Sequence, residues 1–175
     1  MMRRRHFITL LGGAAALRGR SRANLPSANE LQGSSMEELV FERQAAAEYD
    51  RAFAYVTRYF MPFVLRAARI ARGMRVLDIA AGTGLSAEAA LFAVGPTGHV
   101  TAADISPAMV EKARERLGEA RNASVLVQDA QALSFSDETF DAVVCNLGLM
   151  FFPEPARGLS EFVGCFVRAA GRQCR

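Results

Sequence analysis

The chain is 175 residues long, 51% hydrophobic and 22% charged, with a formal net charge of +3. One domain with a real core fits in that length, together with a leader segment. The basic balance is local: residues 1–29 hold six arginines and no acid, so residues 30–175 carry 15 bases against 18 acids, which argues against a nucleic-acid partner.

Residues 1–23 read as a signal-like leader. Arg3-Arg4-Arg5-His6 precede an eleven-residue apolar run from Phe7 to Leu17, and Arg4-Arg5-x-Phe7-Ile8 is similar to a twin-arginine signal. The run is too short for a membrane-spanning helix, which needs about 20 residues. Arg18, Arg20 and Arg22 stand where an uncharged cleavage region belongs, and Ser21-x-Ala23 is a poor cleavage site. Export in a folded state and a decayed leader both stay open. Residues 24–35, small and polar with Pro26 and Gly33, read as a linker to a domain over 36–175.

Helical periodicity begins near Met36. Phe41, Ala45, Tyr49, Phe53, Val56, Phe60, Phe63 and Leu65 keep spacings near three and four, and Pro62 is expected to break or kink the run. Packing onto a sheet is the ordinary use of such a stripe; capping a ligand is the other.

The next segment carries the chemistry. Val76-Leu77-Asp78-Ile79-Ala80-Ala81-Gly82-Thr83-Gly84, followed by Leu85 to Ala90, reads as a buried strand, a glycine turn and a helix N-terminus. The turn lets backbone approach a ligand, and the helix start offers unpaired N–H groups and a partial positive charge. A second strand from His99 to Ala103 ends at Asp104, and a third from Ser124 to Gln128 ends at Asp129-Ala130. Asp78, Asp104 and Asp129 lie 26 and 25 residues apart, each closing a strand. In an open parallel sheet those ends share one edge, where ligands bind. Asp104 stands where an acid accepts hydrogen bonds from ribose hydroxyls.

Two ligand classes fit. Gly82-x-Gly84-x-x-Ala87 satisfies the dinucleotide pattern, so an NAD-dependent oxidoreductase is one alternative, although no Tyr-x-x-x-Lys pair accompanies it. Asp78 argues the other way, because a carboxylate there would repel a pyrophosphate and attract an ammonium. A ligand with a ribose, a neutral base and a cationic amino-acid end, such as S-adenosylmethionine, suits the set. A P-loop is excluded, since no Gly-Lys-Ser/Thr follows the turn.

Together these segments resemble the class I S-adenosylmethionine-dependent methyltransferases, especially the small-molecule branch that includes quinone C-methyltransferases. Residues 76–84 look like the first motif, 101–109 the second-strand segment, 129–135 the adenine-side segment and 140–146 the fourth strand. The likeness covers about residues 37–165. It implies a Rossmann-like α/β sandwich whose partial parallel sheet has the order 3-2-1-4, with helices before it. It implies that Asp78 and the 80–84 backbone, with Ala80, Gly82 and Gly84, hold the methionine end of the cofactor. Asp104 would hold the ribose with Ile105 and Met109 nearby, Asp129 and Ala130 the adenine, and Asn146 would lie near the methyl group.

Methyl transfer of this kind requires mainly alignment and desolvation of an acceptor, which explains why no acid–base pair stands out. Leu147, Leu149, Met150, Phe151 and Phe152 suggest a small apolar or aromatic acceptor, or else bury their own loop. No catalytic base and no metal site are identifiable. Cys145, Cys165 and Cys174 form no metal spacing and read as free thiols, and His99 belongs at the start of a strand, away from the ligand edge.

The family's sheet continues beyond the helix at about 155–169, whereas Arg168 to Arg175 holds a degraded turn. The expectation is a C-terminally truncated domain, active or surviving as an inactive cofactor-binding remnant. Strand 139–146 would then be an open apolar edge prone to self-association. The cofactor points to the cytoplasm, the leader to export.

Overall fold

A computed structural model describes residues 7–10 and 36–166, with side chains over 48–166. The rest of the leader, the linker over 24–35 and Cys174 lie outside the described residues. In chain order the elements are β1 (Phe7–Leu10), α1 (Met36–Ala67), β2 (Arg75–Ile79), α2 (Leu85–Val94), β3 (His99–Asp104), α3 (Pro107–Leu117), β4 (Ala123–Val127), β5 (Ala142–Asn146) and α4 (Pro155–Cys165). A 3-10 turn, Leu149–Phe151, joins β5 to α4.

All pairings are parallel, in the order β4-β3-β2-β5-β1. The first four strands keep the expected 3-2-1-4 arrangement. Helices cover both faces of the sheet, so the central strands are apolar on both sides. Val76 and Val144 pack with Val64, Ala90 and Val94 under α1 and α2, while Leu77 and Val143 pack with Phe162 of α4. Neighbouring strand residues thus feed opposite cores, as the two-residue repeat of a strand requires.

Three expectations are corrected. Pro62 lies inside α1 without ending it. It is exposed, while Thr57, Met61, Val64 and Ala68, at spacings of four, three and four, are buried, Val64 and Ala68 in the core that includes β2 and β5. Packing along that line outweighs the one backbone bond that proline removes. The aromatic stripe, in turn, is not the packing face: Phe53 and Phe63 are exposed, and Val56, Phe60 and Leu65 are half-buried. The third correction concerns the sheet edge. β5 is not open, because Phe7–Leu10 of the leader pairs with Val143–Asn146, and Phe166 bridges to Phe140. The helix expected over 155–169 is described to Cys165.

Candidate active site

Four strand ends meet at one edge of the sheet: β2 at Ile79, β3 at Asp104, β4 at Val127 and β5 at Asn146. A cavity of about 710 Å³ opens there, roofed on one side by Glu48, Tyr49, Ala52 and Phe53 of α1. Its wall includes eight of the ten residues singled out from sequence: Ala80, Gly82, Asp104, Ile105, Met109, Asp129, Ala130 and Asn146.

Asp78 and Gly84 are not on the wall. Gly84 has φ +84 and caps α2, and a Cβ there would lie 3.1 Å from the Ala113 backbone. Its smallness lets α3 approach the turn. Asp78 is 1% exposed, and neither carboxylate oxygen has a partner in full hydrogen-bond geometry, the nearby Ala87 amide giving only partial support. Burial, with Asp104 adding to it and the Ala87 amide opposing, lifts its carboxyl to about 8. Burial thus disfavours the charged form of Asp78 in the ligand-free chain.

Asp104 is held differently. Its Oδ2 accepts from the Gly82 amide at 2.8 Å and its Oδ1 from the Ser106 amide at 2.9 Å. Burial raises its pKa against these amides. Each carboxylate oxygen has a second lone pair, so the oriented group can accept two further donors from the cavity. Ser106 then caps α3, accepting from the Met109 amide at 3.4 Å, with Pro107 opening the helix.

Asp129 receives the Gln131 amide on Oδ1 at 2.8 Å, which fixes the turn after β4. Asn146 donates to the Ser86 hydroxyl at a long 3.5 Å, and its Oδ1 has no partner. Two wall residues other than glycine adopt the left-handed backbone, Ala80 (φ 51) and Leu147 (φ 62). Such strain concentrates at ligand sites.

Leu147, Phe151, Phe152 and Pro153 supply an apolar wall, while Leu149 turns into the core. Tyr49 stacks obliquely on Phe53 with ring centroids 5.1 Å apart. Burial, Asp104 and Asp50 raise the Tyr49 hydroxyl's pKa, so it stays protonated and can donate. Among the described residues no lysine, arginine or histidine lines the cavity, whereas Glu48, Asp104 and Asp129 do. Of the two uses that the sequence left open for the α1 stripe, packing and capping a ligand, the structure places Tyr49 and Phe53 on the cavity wall.

His99 and the two described cysteines lie as expected. His99 opens β3, with Nε2 2.9 Å from the Ser124 hydroxyl and away from the cavity. Cys145 and Cys165 are free and buried, and burial pushes the Cys145 thiol up to about 12. Among the described residues no group of His, Cys, Asp or Glu could hold a metal, and no helix is long and apolar enough to cross a membrane.

Residues 76–166 match the family model described as a methyltransferase domain, which is more than half of the chain. A demethylmenaquinone methyltransferase from Clavibacter sepedonicus is 45% identical over 98 residues, covering 56% of this chain and 39% of that protein. The aklanonic acid methyltransferase DauC of Streptomyces sp. (strain C5) is 31% identical over 136 residues, 73% of this chain and 62% of its own length. The chain thus spans less than two thirds of these relatives. A structure of a SAM-dependent methyltransferase from Aquifex aeolicus superposes with a TM-score of 0.63 at 24% identity, over 71% of this chain and 66% of that one. An arsenic(III) S-adenosylmethionine methyltransferase from Chlamydomonas reinhardtii superposes with a TM-score of 0.51 at 33% identity, over 56% of this chain and 36% of that one.

Proposed function

This chain belongs to the class I S-adenosylmethionine-dependent methyltransferases, and from that premise we propose that its cavity binds S-adenosylmethionine and a neutral, aromatic or quinone-like acceptor. The observation that carries the reading is the charge of the wall. Among the described residues three carboxylates and no cation surround a largely apolar space, which favours a cationic ligand over a pyrophosphate. The NAD alternative is disfavoured on that ground.

The residues fit the cofactor. Asp104, pre-oriented by two amides, is placed to accept the two ribose hydroxyls. The unpaired Asn146 Oδ1 and the turn after Ala80 form an acceptor-rich corner suited to an ammonium group. Asp129, Ala130, Ile105 and Met109 border a flat region suited to an adenine. When bound, S-adenosylmethionine supplies a methyl group already activated on a sulfonium.

The chain's own contribution is alignment and exclusion of water. Tyr49, Phe53, Phe151 and Phe152 enclose the acceptor side, and enclosure in an apolar wall strengthens each polar contact inside it. An acceptor carrying a carboxylate or phosphate would meet Glu48, Asp104 and Asp129 without a balancing cation. The name of one similar enzyme, a demethylmenaquinone methyltransferase, supports a neutral, quinone-like acceptor, whereas DauC is named for an acid. The pairing of Phe7–Leu10 within the sheet supports retention of the leader and a cytoplasmic location, because removal of residues 1–23 would strip a strand.

The experiment is a binding titration of the full chain and its Asp104→Ala variant with S-adenosylmethionine. Loss of the carboxylate is expected to weaken binding by roughly 1–3 kcal/mol, about 5- to 150-fold. Equal affinity in the two proteins would remove Asp104 from the site.

A further inference from the structure

Behind the cavity, three elements distant in sequence meet in one ring of polar contacts. Asp50 of α1 accepts from the Thr83 hydroxyl through Oδ1 and from the Arg116 guanidinium through Oδ2. Arg116, in the last turn of α3, returns to the same threonine: its Nε donates to the Thr83 carbonyl at 2.7 Å. Its Nη1 also lies 3.7 Å from Glu88 of α2. Thr83 is 3% exposed and sits between Gly82 and Gly84, in the turn whose Gly82 amide orients Asp104. None of Asp50, Thr83 and Arg116 lines the cavity.

The neighbours of Asp50 do line it. Tyr49 precedes it, and Ala52 and Phe53 follow within one helical turn. Wherever Asp50 is fixed, those side chains are fixed too. The Arg116–Asp50 pair is shielded, with side chains 18% and 33% exposed, so it is worth more than a surface pair. We propose that Asp50 and Arg116 are positioning residues: through Thr83 they clasp α1 onto the glycine turn and hold Tyr49 and Phe53 closed over the ligand cavity. The clasp rests on geometry; its consequence for ligand residence rests on the S-adenosylmethionine reading above.

Hydrogen exchange on the ligand-free full chain tests the clasp without any ligand. In Asp50→Ala, amides of α1 around residues 48–56 are expected to exchange about tenfold faster, the factor carried by one charge-assisted hydrogen bond, while those of β2 and β3 stay unchanged. The dissociation rate of S-adenosylhomocysteine is expected to rise by a similar factor. Because the three residues act as a unit, Asp50→Ala combined with Arg116→Ala should do no more than either alone. Unchanged α1 exchange in a folded Asp50→Ala protein, or additive effects in the double variant, would overturn the clasp. If Asp50→Ala loosens the whole sheet, Thr83→Val and Thr83→Ser decide: faster exchange of α1 is expected only for valine, and equal behaviour of the two contradicts the proposal. Failure of the wild-type chain to bind the cofactor product would sink the functional reading and leave the exchange result standing on its own.

Discussion

Asp78 sits beneath the glycine turn with neither oxygen in full hydrogen-bond geometry, and burial beside Asp104 lifts its carboxyl from 3.8 to about 8. A proton held more tightly in the folded than in the unfolded state stabilises the fold at low pH. That contribution is complete below about pH 4 and is lost as pH rises toward 8. Asp78→Asn should therefore match wild type near pH 4 and melt at higher temperature above pH 8, in thermal scans of the ligand-free protein. A constant difference across that range would contradict the shift. A second residue pair reads on the same scale. A Cβ on Gly148 would lie 2.4 Å from the Cβ of Ala80, whose φ is 51. Gly148→Ala should cost about 1–3 kcal/mol by overpacking. Adding Ala80→Gly should recover part of the loss, since it removes both the clash and the left-handed strain. Denaturant titrations of the two single variants and the double give that coupling directly.

The strands and helices differ in how far their residues announced them. β3 and α3 were legible because the junction between them carries residues with local jobs: Asp104 takes the Ser106 amide, Ser106 caps, and Pro107 starts the helix. Ser106→Ala is expected to lower stability by about 1 kcal/mol, measurable as a shift in denaturation midpoint at constant slope. α1 was legible as a helix and misread in orientation. Phe53, Val56, Phe60 and Phe63 and the buried set Thr57, Met61, Val64 and Ala68 lie on adjoining lines, both at helical spacing. Aromatic size drew the reading to the wrong line, and nothing local reveals that Tyr49 and Phe53 stand over a cavity formed by residues 80–153. β1 was illegible for another reason: a short apolar run serves equally as a signal core or a buried strand, and its partner lies more than 130 residues away. Deleting residues 1–11 should lower the melting temperature and, by freeing the Val143–Asn146 edge, increase association in sedimentation. Unchanged values for both would remove β1 from the working fold.

At the scale of the whole molecule, the sheet gathers four strand ends into one acidic, apolar-walled cavity, and helix α1 closes it. The acids at 78, 104 and 129 marked the correct edge in sequence, but their roles separate only in three dimensions. Asp104 and Asp129 line the cavity, and Asp78 is buried behind it with its carboxyl pKa raised. On the proposed reading, the charge that favours a cation over a pyrophosphate is collective, shared with Glu48 of α1. Calorimetric titration of the full chain with S-adenosylmethionine, and in parallel with NAD, tests that claim most directly. Micromolar binding of S-adenosylmethionine, about 8 kcal/mol, with no heat from NAD is the predicted result. Binding of NAD, or of neither ligand by a folded protein, would contradict it.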